Sequence, residues 1–151
     1  MRKMLLATLS VALSACMSAP HVPPATGLTA ELIVARADGS TGARLFIALL
    51  DGAECKDARS LERLDFDSDE QRRTTIVAGR RTQLVLSEYR RESSGQCRVA
   101  TDFDVVAGGR YRAIWSAAGD RCFVRLETLT TVDGKETYRT EPSAKLNYKN
   151  C

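Results

Sequence analysis

The sequence predicts an all-β protein, an antiparallel β-sandwich of about seven or eight short strands with at most one short helix. Three observations carry this expectation. Most segments beyond residue 28 alternate apolar and polar residues, the period of a strand with one buried face. Glycine turns at Gly79, Gly108-Gly109 and Asp133-Gly134 punctuate them. Cys55, Cys97, Cys122 and Cys151 are spread through the same region, as staples of a small exported domain would be.

The elements follow in order. Thr29 to Arg36 places Leu32 and Val34 on one face. Ala43 to Leu50 is apolar on both faces, as in a central strand. Between Cys55 and Arg73 the pattern changes, because Ala58, Leu61 and Leu64 stand at helical spacing; a short helix or a long loop is expected there. Thr74 to Ala78 and Thr82 to Tyr89 flank Gly79-Arg80-Arg81 and read as a hairpin. Gln96 to Val106 alternates, with Cys97, Val99, Thr101, Phe103 and Val105 on one side. Tyr111, Ala113 and Trp115 share a face in the next strand, and Cys122, Val124 and Leu126 in the one after, with Phe123 facing outward.

Four cysteines in an exported chain read as two disulfides. If the strands of Cys97 and Cys122 flank a third in one meander, they lie about 9 to 10 Å apart, too far for a disulfide. The expected pairings are therefore Cys55 to Cys97 with Cys122 to Cys151, or Cys55 to Cys122 with Cys97 to Cys151. The wide spacings, with no C-x-x-C and no nearby histidine, disfavour zinc and redox chemistry.

The start of the chain has its own logic. Arg2 and Lys3 precede an apolar run from Met4 to Leu13, far short of the roughly 20 residues that a spanning helix needs. The run ends in Leu13-Ser14-Ala15-Cys16, where two small residues let a peptidase close around the backbone and a thiol becomes available for alkylation. This resembles the signal peptide of bacterial lipoproteins. The resemblance implies cleavage after residue 15 and lipidation of Cys16, which also removes the odd cysteine from a count of five. With Met17 rather than an aspartate next, it implies an outer-membrane location facing the periplasm. Residues 16–27, with Pro20, Pro23, Pro24 and the only histidine, His21, read as a tether reaching on the order of 30 Å. Residues 28–151 form the expected β-sandwich domain.

One internal echo is present. Ile76-Val77-Ala78-Gly79-Arg80-Arg81 recurs as Val105-Val106-Ala107-Gly108-Gly109-Arg110, and is read as two similar hairpin corners. The V-x-A-G wording followed by an alternating strand is similar to segments of transthyretin-like and PEGA-type envelope β-sandwich modules. Such modules mostly bind or present, and no functional residue is carried over.

Function classes narrow mainly by exclusion. The whole chain holds 22 basic and 19 acidic residues, and losing Arg2 and Lys3 leaves the mature part near neutral. A nucleic-acid partner is not expected from such a balance. A serine hydrolase needs a base, yet the only histidine lies in the tether. Asp65, Asp67, Asp69 and Glu70 form an acidic run that a carboxylate-based hydrolase would use, but it has no aromatic platform. The same run opens like a calcium loop and then fails, with Glu70 at the glycine position and Ile76 in place of the closing glutamate. No catalytic residue, metal or cofactor is expected; the partners expected are a membrane, through the lipid, and an envelope protein. Arg98, Arg110, Arg112, Arg121 and Arg125 share outward parity. On adjacent strands they would line one face, as a salt-bridge lattice or as a site for phosphate or carboxylate.

Overall fold

In a computed structural model, residues 19–20, 22, 24–37, 44–51, 56–64, 71–89, 96–118 and 121–147 are described. The strands are β1 (Ala19–Pro20), β2 (Thr29–Arg36), β3 (Arg44–Asp51), β4 (Lys56–Leu64), β5 (Gln71–Val77), β6 (Arg80–Tyr89), β7 (Gln96–Val105), β8 (Arg110–Ala118), β9 (Arg121–Val132), β10 (Lys135–Thr140) and β11 (Lys145–Leu146); in β2, β7 and β8 alternating apolar side chains mark the buried face. They form a six-stranded sheet, β1-β4-β3-β6-β7-β11, and a five-stranded sheet, β10-β9-β8-β2-β5. The chain is all-β, as expected, with nine strands of six residues or more among the described residues instead of seven or eight. The sandwich is also not purely antiparallel. β2 pairs parallel with β8, and β1 parallel with β4.

The inward faces meet in one core. Leu32, Val34, Leu45, Ile47, Ile76, Leu84, Leu86, Phe103, Tyr111, Ala113, Trp115 and Leu126 are buried together. β3 is apolar on both faces because it is central, between β4 and β6. Its outer face contributes Leu50 to a smaller buried cluster with Val85 and Ala100.

Three sequence expectations are corrected. Within the segment from Cys55 to Arg73 read as helix or loop, Lys56–Leu64 is β4 and Gln71 to Arg73 begin β5. The register of β4 against β3 sets Leu64 opposite Leu45 and Leu61 opposite Ile47, so Glu62 and Arg63 of β4 together stand against Phe46 of β3. A β-bulge absorbs the extra residue, and the resulting spacing of three imitates a helical period. Second, β5 and β6 are no hairpin: they belong to different sheets, and the chain crosses between layers at Ala78-Gly79. The echoed segment Val106 to Gly109 is another such crossing, from β7 to β8. Both corners turn on a left-handed glycine, Gly79 at φ 79° and Gly108 at φ 71°, which a side chain would disfavour. The corners also touch, since the Gly79 N–H donates to the Val105 carbonyl at 2.7 Å and the Gly108 N–H to that of Thr29 at 2.8 Å. Asp133-Gly134, the turn expected after the strand of Cys122, joins β9 to β10 in a hairpin, with both residues at positive φ.

Third, Cys97 and Cys122 are bonded to each other, with Cα atoms 6.0 Å apart. This overturns both expected pairings. The meander premise fails because β7 lies in one sheet and β8 and β9 in the other, so the two cysteines face each other across the sandwich. Cys55 and Cys151 lie outside the described residues, as do Cys16, His21 and the acidic run 65–70. Part of the segment read as tether is also structured: Ala19 pairs with Arg59 and Pro20 with Ser60 along the edge of β4.

Candidate functional site

The arginines singled out by parity divide between the two sheets. Arg110, Arg112, Arg121 and Arg125 stand on the outer face of the five-stranded sheet, on β8 and β9. Arg98 does not join them. It sits on β7, exposed on the other sheet, because β7 and β8 are joined by a layer crossing and not by a hairpin.

On the five-stranded sheet, strand register decides what the guanidinium groups meet. Arg112 lies directly opposite Glu127 and donates to its Oε2 through Nε at 2.9 Å and Nη2 at 2.6 Å. Arg125 Nε holds the other oxygen, Oε1, at 2.9 Å. Glu127, whose side chain is only 11 % exposed, is thus clamped between two cations. Beside it, Arg110 Nη1 reaches Glu136 on β10 at 2.9 Å, and its Nε lies 3.7 Å from Glu31 on β2. Arg73 on β5 donates to Glu31 Oε2 at 3.1 Å. The Arg112 guanidinium also stacks on the Tyr138 ring, 3.9 Å from its centroid.

This face is a salt-bridge lattice running across β5, β2, β8, β9 and β10. Each exposed pair contributes little, about 0 to 1 kcal/mol in high dielectric. The Glu127 pairs are the stronger ones, being less hydrated and doubly bonded. Chemically, the lattice fixes strand register and neutralises its own cations; an incoming phosphate or carboxylate would compete with Glu31, Glu127 and Glu136 for the same donors. Arg121 is exposed toward the β8–β9 turn.

Two features escaped sequence reasoning. The first is Glu88 on β6, buried at 4 % exposure, whose Oε2 accepts a hydrogen bond from Trp115 Nε1 at 3.1 Å. It joins the two sheets beside the disulfide, since Glu88 pairs with Cys97 in register. Parity held the signal, for Glu88 follows Leu84 and Leu86 on the inward face. The second is Tyr111, whose hydroxyl accepts from the Val106 N–H at 2.8 Å and donates to the Asp104 carbonyl at 3.3 Å. The phenol ties the crossing of β7 and β8 to the core, where Phe103 meets its ring edge-on at 5.1 Å. Burial raises the Tyr111 pKa above its ordinary value; the Val106 N–H opposes this, and the negative charges of Glu141 and Asp104 add to it.

Among the described residues no group of three or more His, Cys, Asp or Glu side chains is placed to hold a metal ion. No helix among them is long and apolar enough to cross a membrane. The chain matches no protein-family model, and no curated protein or solved structure is significantly similar to it.

Proposed function

We propose that the chain is a lipid-anchored envelope lipoprotein. It is exported, cleaved after residue 15, acylated on Cys16, and held at the periplasmic face of the outer membrane. Its sandwich binds or braces an envelope partner and catalyses nothing. The single observation that carries this reading is Leu13-Ser14-Ala15-Cys16 at the end of a short apolar run behind Arg2 and Lys3. The Cys97–Cys122 bridge supports it, because such staples persist in oxidising compartments.

With Cys97 and Cys122 joined, the second bridge of the mature domain is Cys55 to Cys151, the one pairing left among its four cysteines. The outer arginine lattice is structural in this reading, since register sets its cations against carboxylates.

Membrane fractionation tests the anchor. The native chain should sediment with membranes and enter the detergent phase, and Cys16→Ser should release it or stall it as uncleaved precursor. A native chain recovered wholly in the soluble fraction would contradict the proposal.

A further inference from the structure

We infer that the end of the sandwich carrying the two glycine corners is a docking surface for the phospholipid headgroup layer, so that the domain stands on its membrane in one orientation. The inference rests on the lipoprotein reading and adds to it which residues meet the lipid.

Three independent strands of geometry converge on that end. β2 begins there, with the Leu28 carbonyl accepting from the Ala78 N–H at 2.9 Å, and the corners at Gly79 and Gly108 close over it. The β9–β10 hairpin projects from the same end. Thr128 is level with Tyr111, near the start of β8, and the strand continues four residues to Val132, about 13 Å further at strand rise. Finally, β1 runs parallel to β4 with Ala19 opposite Arg59, so its N-terminal end points toward Lys56. Lys56 pairs with Asp51, and Asp51 with Thr82 near the start of β6, which places that direction at the corner end too. Cys16 lies three residues before Ala19 and so within about 10 Å of it. An acyl group on Cys16 is therefore held within about 10 Å of Ala19 on the edge of β4, on a leash far shorter than a free tether from residue 16 to residue 27.

The surface has the chemistry of an interfacial contact. Leu28 is 65 % exposed, Val106 64 % and Val132 38 %, all three large apolar side chains open to solvent. They are not contiguous core but separate tips, one on each of three chain segments at this end. Arg80 and Lys135 are exposed nearby, with Asp133 and Glu136 as the neighbouring acids. Apolar tips that enter the headgroup boundary beside cations that meet phosphate are the pattern of a peripheral membrane face. Each tip alone binds weakly, but an anchored domain already sits at the membrane, so weak contacts suffice to orient it.

The test uses the full-length acylated protein, purified from membranes and added to vesicles of phosphatidylethanolamine and phosphatidylglycerol doped with brominated phosphatidylcholine. Val106→Trp and Leu28→Trp place a fluorophore on the corner end, and Phe123→Trp places one on the flank near the β8–β9 turn; all three sites are exposed. The buried Trp115 is common to all three variants. Bromine should quench the two corner probes at least about twofold more than the flank probe, as expected for contact with the acyl boundary. Equal quenching at all three positions on acylated protein would overturn the orientation while leaving the anchor intact. The mass of each sample is measured first; absence of acyl mass would overturn the lipoprotein reading itself, and the orientation with it.

Discussion

Gly109 has no room for a side chain. A Cβ there would lie 2.8 Å from the Tyr111 ring and 2.9 Å from the Val106 carbonyl oxygen. The echoed corner holds Arg80, exposed, at the matching position. Gly109→Ala should therefore destabilise the domain by about 1 to 3 kcal/mol through overpacking; chemical denaturation measures it, and an unchanged midpoint would contradict the packing. Tyr111→Phe removes the hydroxyl that links Val106 to Asp104 and should cost about 1 kcal/mol at neutral pH. Its second effect depends on pH. Because burial raises the folded-state pKa above 10.0, the phenol contributes stability that is fully present below pH 10.0 and is lost as pH rises through the folded value. Melting temperatures of the two proteins should thus converge in strong alkali, and a gap that stays constant with pH would refute this. Tyr111 on the core face was legible from alternation, whereas the hydroxyl's partners were not. They belong to a turn whose path no periodicity encodes.

At the scale of elements, legibility stops at the same boundary between local pattern and layer assignment. Alternation predicted Gln96 to Val106 and the apolar faces of β8 and β9 closely, because the large apolar side chains of these strands fall mainly on the side facing the core. It could not say which sheet a strand joins. A hairpin and a layer crossing both use a left-handed glycine between two alternating segments, so Gly79 and Gly108 read as hairpins when both are crossings. That one ambiguity misplaced Arg98 and inverted the disulfide pairing. β4 was lost for a different reason, its bulges against β3. Two cross-sheet links now carry predictions. Reducing Cys97–Cys122, which closes a loop of sequence separation 25, should cost roughly 3 kcal/mol in the chain-entropy model. Cys97→Ala with Cys122→Ala should lower the thermal midpoint comparably, and no change would argue against the bridge. Glu88→Ala leaves the Trp115 indole N–H without this acceptor and should cost about 1 to 3 kcal/mol. Glu88→Gln keeps an acceptor and should cost less; equal losses would show that the hydrogen bond is not what matters.

The whole molecule is a two-layer staple with one end distinguished from the other. The exposed Leu28, Val106 and Val132, the entering chain and the projecting hairpin share the corner end. Arg110, Arg112 and Arg125 run along the flank between the ends and are matched there by glutamates. Breaking that match at its most sheltered point is informative. Glu127→Gln leaves Arg112 and Arg125 facing each other without their shared carboxylate and should destabilise by about 1 to 3 kcal/mol at low salt, less at high salt. If the same change instead raised stability in the presence of inorganic phosphate, the face would be an anion site and not a lattice.

The proposal that unites sequence and fold is an exported, lipidated sandwich stapled between its sheets, and mass spectrometry of a non-reduced digest of membrane-extracted protein tests it most directly. The predicted result is an N-terminal peptide that begins at Cys16 and carries acyl mass, a Cys97 peptide linked to a Cys122 peptide, and a Cys55 peptide linked to one containing Cys151. An N-terminal peptide that retains residues 1–15, or Cys97 and Cys122 recovered as free thiols, would contradict it.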